Sequence, residues 1–271
     1  MTSFSLKRVG AMVLRYSYLL RATYTRILDI IYWPFVQMLT WGFLQSYLAQ
    51  AGALQAPGGA AQAAGTLIGA ILLWDILLRG QQGFSLSFIE EMWSRNLANI
   101  LMSPLRPAEF VLSLILMSLI RLAVGVLPVT LFAILFFGFN LWALGVAFGA
   151  FFVVLMFFAW AMGLFVSGLL LRLGLGAENL VWSLMFFVQP LGAVYYPVTT
   201  LPHWLQPISW MLPPTYVFEG LRAVLIDHVI RWDLLATGLA IDALLFAGAA
   251  LAFGALLKSA RRAGTLLQTG E

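Results

Sequence analysis

Between Arg121 and Arg172 the chain runs fifty residues without a charged side chain, interrupted by one turn signal, Gly138-Phe139-Asn140. About 20 apolar residues cross a bilayer as a helix, so this run predicts two spanning helices joined by a tight hairpin. The same pattern along the chain predicts six spans, at about 27–49, 65–86, 108–137, 141–171, 179–198 and 234–257. The third and fourth exceed what a bilayer needs and are expected to tilt or project beyond it. The runs are long and continuous rather than short and alternating, which selects helices over a barrel. The expected fold is an all-α polytopic membrane protein, a single transmembrane domain over 1–271.

The polar segments between these runs alternate in charge. Segments 1–26, 87–107, 172–178 and 258–271 hold eleven of the fifteen Lys and Arg residues, whereas the 50–64 loop and the 138–140 turn hold none. The positive-inside rule therefore puts both termini and 87–107 on the cytoplasmic side and 199–231 on the outer side. Residues 1–26 are not read as a span. Leu6, Val9, Val13, Tyr16 and Leu20 share one helical face and Lys7, Arg8, Arg15 and Arg21 the other, the pattern of an amphipathic helix lying in the inner interface against anionic headgroups.

A second amphipathic element is expected at the cytoplasmic boundary. Ser87 with Glu90 three residues later reads as a capping box that starts a helix. Leu86, Ile89, Trp93, Leu97 and Ile100 then form an apolar stripe, with Glu91, Arg95 and Asn99 stacked on another face until Pro104 and Pro107 end the element. Its plain reading is a charged loop between two spans; the sharper one is a docking helix, 87–103, for a soluble partner. On the outer side, the many prolines of 199–231 forbid one continuous helix, yet the stretch is too apolar to sit in water. Short helices dipping into the outer leaflet fit it, with Trp204, Trp210 and Tyr216 as interfacial anchors.

Read together, these motifs carry a family resemblance. Glycine, then Tyr196-Pro197, Leu201-Pro202-x-Trp204-Leu205, Pro214-x-Tyr216 and Glu219-x-x-Arg222, in that order after the fifth span, resemble the signature of type-2 ATP-binding-cassette export permeases. The Glu90-x-x-Trp93-x-Arg95-Asn96-Leu97 run, followed by Ser103-Pro104, resembles the cytoplasmic coupling segment of the same family. The resemblance covers essentially the whole chain. It implies a half-transporter that forms a homodimer and binds separate ATPase subunits, with Glu90, Glu91, Trp93, Arg95 and Asn96 contacting the ATPase.

Composition agrees with a membrane protein: 62% of residues are hydrophobic and 10% charged. There is no cysteine, which excludes disulfides and thiolate chemistry. Neither lysine lies in a phosphate loop, since Lys7 follows no glycine run and Lys258 is preceded by Leu257. ATP and magnesium are therefore expected on the partner subunit, with no cofactor on this chain. His203 and His228 lack metal-ligand spacing and read as surface histidines. A net charge of +4 in such a chain speaks of membrane orientation and not of nucleic acid.

Four charged residues fall inside predicted spans: Asp75, Arg79, Arg121 and Asp242. A lone charge at mid-bilayer costs roughly 2.5–3.5 kcal/mol on insertion scales, so each needs a partner, water or protein around it. Asp75 and Arg79, one turn apart, suit mutual pairing; lining of a pathway is the functional alternative for all four. The expected function is the permease of an ATP-driven exporter in the bacterial cytoplasmic (inner) membrane, moving an amphipathic, lipid-like or lipid-linked cargo outward. A self-contained secondary transporter and a non-transporting scaffold or assembly factor are the alternatives.

Overall fold

The computed structural model of the chain describes residues 4–22, 24–50 and 60–263. The described chain forms helices α1 (Leu6–Ala22), α2 (Tyr24–Gln50), α3 (Ala60–Trp93), α4 (Leu97–Met102) and α5 (Pro107–Phe137). After these come α6 (Val146–Leu173), α7 (Leu180–Leu191), α8 (Gln206–Trp210), α9 (Pro213–Arg222) and α10 (Trp232–Ala263). No strand occurs among the described residues. The uncharged 50–64 connection and the end of the chain lie largely outside them.

The charge-free run folds as its punctuation dictates. Pro107 takes the first position of α5, where its missing N–H costs nothing, and Glu109 reaches back to accept the Arg106 backbone N–H at 2.9 Å. Gly138 ends the helix in the left-handed conformation, φ 66°, which a side chain would disfavour. The Asn140 carboxamide oxygen then accepts the Trp142 N–H at 3.0 Å, closing the predicted hairpin. Leu141–Leu144 form a 3-10 turn, so α6 begins at Val146 rather than at 141.

Among the described residues, four helices are long and apolar enough to cross a membrane: Tyr24–Leu48, Pro107–Phe137, Val146–Leu173 and Trp232–Arg262. In α3, Asp75, Arg79, Gln81 and Gln82 interrupt the apolar run. The predicted fifth span, 179–198, does not form one continuous helix. At 12 residues, α7 reaches about 18 Å, against the roughly 30 Å of a hydrocarbon core. Its chain breaks at Gly192 and Ala193, the latter at φ 50°.

The helix α3 is the axis of the bundle. It packs against α2, α5, α6, α7 and α9, and from Ile68 to Ile89 nearly every residue is buried. Trp74, Phe151, Phe158 and Phe218 fill one half of the core; Tyr16, Phe84, Phe88 and Phe110 fill the other. The helix α10 lies along α6 and α9, while much of α2 and α10, including Phe43, Tyr47, Leu244 and Leu251, faces outward, as apolar side chains do toward lipid. Close approach is obtained with glycine. A Cβ on Gly83 would sit 3.0 Å from Ser118 Cα of α5, and one on Gly163 would sit 2.8 Å from the Phe84 ring. By contrast, Gly145 and Gly149 mark no such contact, since both positions are open within 4 Å, whereas a Cβ on Gly69 would meet Phe139 and Leu221.

Gly83→Leu is therefore expected to separate α3 from α5 at the cost typical of overpacking, about 1–3 kcal/mol. Thermal unfolding of the purified chain in detergent checks this, with Gly149→Ala expected to leave the midpoint unchanged.

Candidate functional site

The segment 87–103 differs from its expected form. Ser87 is no cap: it is buried within α3, where its hydroxyl donates to the Gly83 carbonyl at 2.9 Å. Nothing between 80 and 90 breaks the preceding helix, so there is no free helix start for a capping box to serve. The break comes later, at Ser94–Asn96, where Arg95 adopts φ 55° and the Asn96 N–H returns to the Glu91 carbonyl at 3.0 Å. The short α4 follows, with Leu97 and Ile100 buried.

This break dissolves the predicted ridge of Glu91, Arg95 and Asn99. Glu91 is fully buried, whereas Arg95 and Asn99 are exposed on the far side of a turn. Trp93, expected to pack on the membrane body, is half exposed, and its indole N–H donates to Glu178 at 3.1 Å, beyond the end of α6. Of the five residues assigned to partner contact, Trp93 and Arg95 reach the surface, Asn96 is half-buried, and Glu90 and Glu91 face inward.

What those carboxylates face is a set of arginines from three helices. Glu90 accepts from Arg121 of α5 at 2.9 and 2.8 Å and from Arg26 of α2 at 2.7 Å. Glu91 pairs with Arg15 of α1 and accepts from the Asn96 carboxamide at 2.9 Å. One helix further, Glu109 at the start of α5 is fully buried and accepts from Arg8 at 2.9 and 2.5 Å, the Ser5 N–H at 2.7 Å and the Arg106 N–H. Buried carboxylates are tolerated only when paired and hydrogen-bonded in this way. Burial beside Glu91 also pushes the Tyr16 phenol further above its ordinary range, keeping it neutral.

The arginines settle the placement of α1. Val9, Tyr16 and Leu20 face the bundle as expected, and Lys7 and Arg21 face outward. Arg8 and Arg15 do not point to headgroups as predicted; they turn inward to Glu109 and Glu91, because a buried carboxylate attracts a guanidinium more strongly than a screened lipid surface does. Sequence reasoning missed Glu109 and the partners Arg8, Arg15 and Arg26. The Arg106-Pro107-x-Glu109 start of α5 was the available signal, since an acid in the first turn after a proline is a helix-start device.

The four intramembrane residues resolve differently. Arg79 donates to Asp75 at 3.3 Å and to Gln82 at 3.2 Å, the expected i,i+4 pair. Arg121 belongs to the Glu90 cluster. Asp242, on α10, is fully buried, and neither of its carboxylate oxygens has a hydrogen-bond partner among the described residues. No arrangement joins Asp242 to the Asp75–Arg79 pair.

At the opposite end, the segment 199–231 contains the short helices α8 and α9. Pro213 and Pro214 start α9, and the Tyr216 hydroxyl donates to the Trp210 carbonyl at 2.8 Å. Tyr216 is buried beneath α10 and thus is no interfacial anchor, while Trp204 is 71% exposed as expected. Glu219 accepts the Val198 N–H at 2.7 Å; Arg222 pairs with Glu219 at 3.1 Å and donates to the Ala193 carbonyl at 3.0 Å. Tyr196 donates to the Pro190 carbonyl at 2.7 Å. The signature residues Tyr196, Glu219 and Arg222 thus fold the segment onto itself, with Pro197 and Pro202 exposed at its rim and Pro214 buried. His203 and His228 are exposed.

A bundle of long apolar helices, pinned by buried ion pairs at one end and roofed by short proline-started helices at the other, is the fold of a multi-pass membrane protein. The family model described as ABC-2 type transporter matches residues 15–226, and the chain belongs to that family. It is a multi-pass permease component, not itself the catalytic part. A comparison with curated proteins finds no match.

Glu90→Gln is expected to leave Arg121 buried with half its partner, a loss of about 3–5 kcal/mol. Glu91→Gln is expected to cost less, since Arg15 is partly exposed. Arg95→Ala, in contact with neither, is expected to change stability by no more than about 0.5 kcal/mol. Thermal unfolding of the three variants in one detergent orders them.

Proposed function

We propose that this chain is the transmembrane half of an ATP-driven exporter, paired with a second copy of itself and with separate ATPase subunits that carry the ATP and magnesium. The supporting observation is the coupling lip, the exposed turn and helix from Trp93 to Pro104. It continues directly from α3, and α3 is tied by Glu90 and Glu91 to α1, α2 and α5. A push on the lip would move four helices together. Closure of the ATPase subunits would act on Trp93, Arg95 and Asn96, and the buried carboxylates would pass the displacement inward. This is a shift between two arrangements of the bundle, driven by differential binding of the partner.

The family's cytoplasmic side would be the end that gathers the basic segments. Arg8 and Arg15 meet Glu109 and Glu91 there, Trp93 meets Glu178, and Pro107 shares a groove with Lys258 and Arg261. Both termini would then face the cytoplasm of a bacterium, across its inner membrane. Six passes are completed if α7 crosses part of the bilayer and α8 and α9 dip from the outer face to meet it. The apolar walls suit an amphipathic, lipid-like or lipid-linked cargo. Secondary transport is less well supported: Asp75 is already paired, which leaves Asp242 without a second carboxylate to form a relay.

Trp93→Ala combined with Arg95→Glu should weaken association with the ATPase at least tenfold, as expected for an exposed aromatic anchor, and uncouple hydrolysis from transport without shifting the unfolding midpoint. Pull-down and transport in reconstituted vesicles check this; undiminished recovery and transport would refute the lip. The isolated chain should show no saturable ATP binding.

Single cysteines introduced into this cysteine-free chain test the orientation. An impermeant maleimide should label Thr200→Cys on intact cells, and Ser94→Cys and Ser259→Cys only after permeabilisation.

A further inference from the structure

A groove of about 480 Å³ runs between α5 and α10, floored by Leu164 of α6. That volume is within the roughly 300–1,000 Å³ of small-molecule sites. Its wall on α10 is one stripe, from Phe246 through Ala250, Gly254 and Leu257 to Lys258 and Arg261. Pro107, Ala108, Val111, Leu112 and Ile115 form the facing wall on α5. Ala108, Ala250 and Gly254 leave room between the larger side chains, and a Cβ at Gly254 would meet nothing within 4 Å.

The groove has two chemically distinct ends. Everything from Phe246 to Leu257 is apolar, and the mouth carries Lys258 and Arg261, both exposed. Neither has an ion-pair partner among the described residues, in contrast to the arginines of α1 and α2. Fifteen residues separate Phe246 from Arg261, about 22 Å along a helix. That length matches one leaflet, half of a bilayer about 40–45 Å thick with its headgroups. Hydrocarbon depth below and two free cations at headgroup height are the complement of a single lipid with a negative phosphate.

We infer that the groove between α5, α6 and α10 is a binding site for one phospholipid with an anionic headgroup, drawn from the leaflet at the basic end of the bundle. One of its two acyl chains lies along Phe246, Ala250 and Gly254, the other remains in the bilayer, and its phosphate meets Lys258 and Arg261. Arg262, one residue on, points to a different recess formed with Ala255, Lys258 and Ser259 and takes no part. The inference does not depend on the transport reading, since a resident lipid would bind whether or not the protein moves cargo.

Native mass spectrometry of the purified full chain tests it, with phosphatidylglycerol, phosphatidylcholine of the same acyl chains, and inorganic phosphate as separate probes. One phosphatidylglycerol is expected to bind with about thirtyfold preference over phosphatidylcholine, the combined effect of two basic residues at a lipid surface. Inorganic phosphate at equal concentration is expected neither to bind nor to compete. Lys258→Gln with Arg261→Gln should abolish the preference, and Arg262→Gln should preserve it. Gly254→Trp should exclude either lipid from the groove. The surface charge variants keep the test decisive if the tryptophan disturbs folding. Equal binding of the two lipids by the wild-type chain, an unchanged preference in the Lys258/Arg261 variant, or displacement by phosphate would each overturn the site.

Discussion

Burying a carboxylate in a low-dielectric interior costs several kcal/mol unless a cation and further donors meet it. At Glu90 that constraint is satisfied by Arg121 of α5 and Arg26 of α2 together. Glu91 and Glu109 repeat the solution with Arg15 and Arg8. The consequence is architectural. Helices in lipid gain little from apolar contact with one another, since the solvent is as apolar as they are. Directional ion pairs, together with glycine contacts such as Gly83 on Ser118, therefore decide which helices are neighbours at this end.

The two ends of the molecule use different means. The basic end is held by charges between helices far apart in sequence. The opposite end is held by hydrogen bonds within one stretch: Tyr216 to Trp210, Thr215 to Ser209, and Glu219 and Arg222 to the backbone at Val198 and Ala193. Prolines at the first turns of α8 and α9 allow short helices to start where the chain has just turned. An end stapled locally can keep its shape while the rest of the bundle rearranges.

Much of the fold was legible in the sequence because lipid imposes long apolar runs and because Pro107 and Gly138 mark the ends of α5. The errors share one cause, the use of local patterns where distant partners decide. Ser87 and Glu90 match a capping box, but a cap needs a free helix end, and α3 is packed on both sides through that point. Glu91 and Arg95 are four apart, yet the face they would share ends where Arg95 turns left-handed. Arg15 looks like a headgroup ligand until Glu91, 76 residues later, is placed beside it. The family motifs, by contrast, were read correctly as a group, because their order along the chain reflects the whole fold.

The spacing of the ion pairs also fixes an order of assembly during synthesis. Helix α1 carries Arg8 and Arg15, but their acceptors lie 101 and 76 residues downstream. Until α3 and the start of α5 have been made, Arg8 and Arg15 lack their carboxylates, and α1 has only α2 and the membrane surface to rest on. Arrival of Glu91 and then Glu109 draws it in. The same arginines serve first as a tether to the bilayer and later as bolts of the finished bundle, so a translational pause before residue 109 would hold the nascent chain in a state with Arg8 of α1 still unpaired with Glu109.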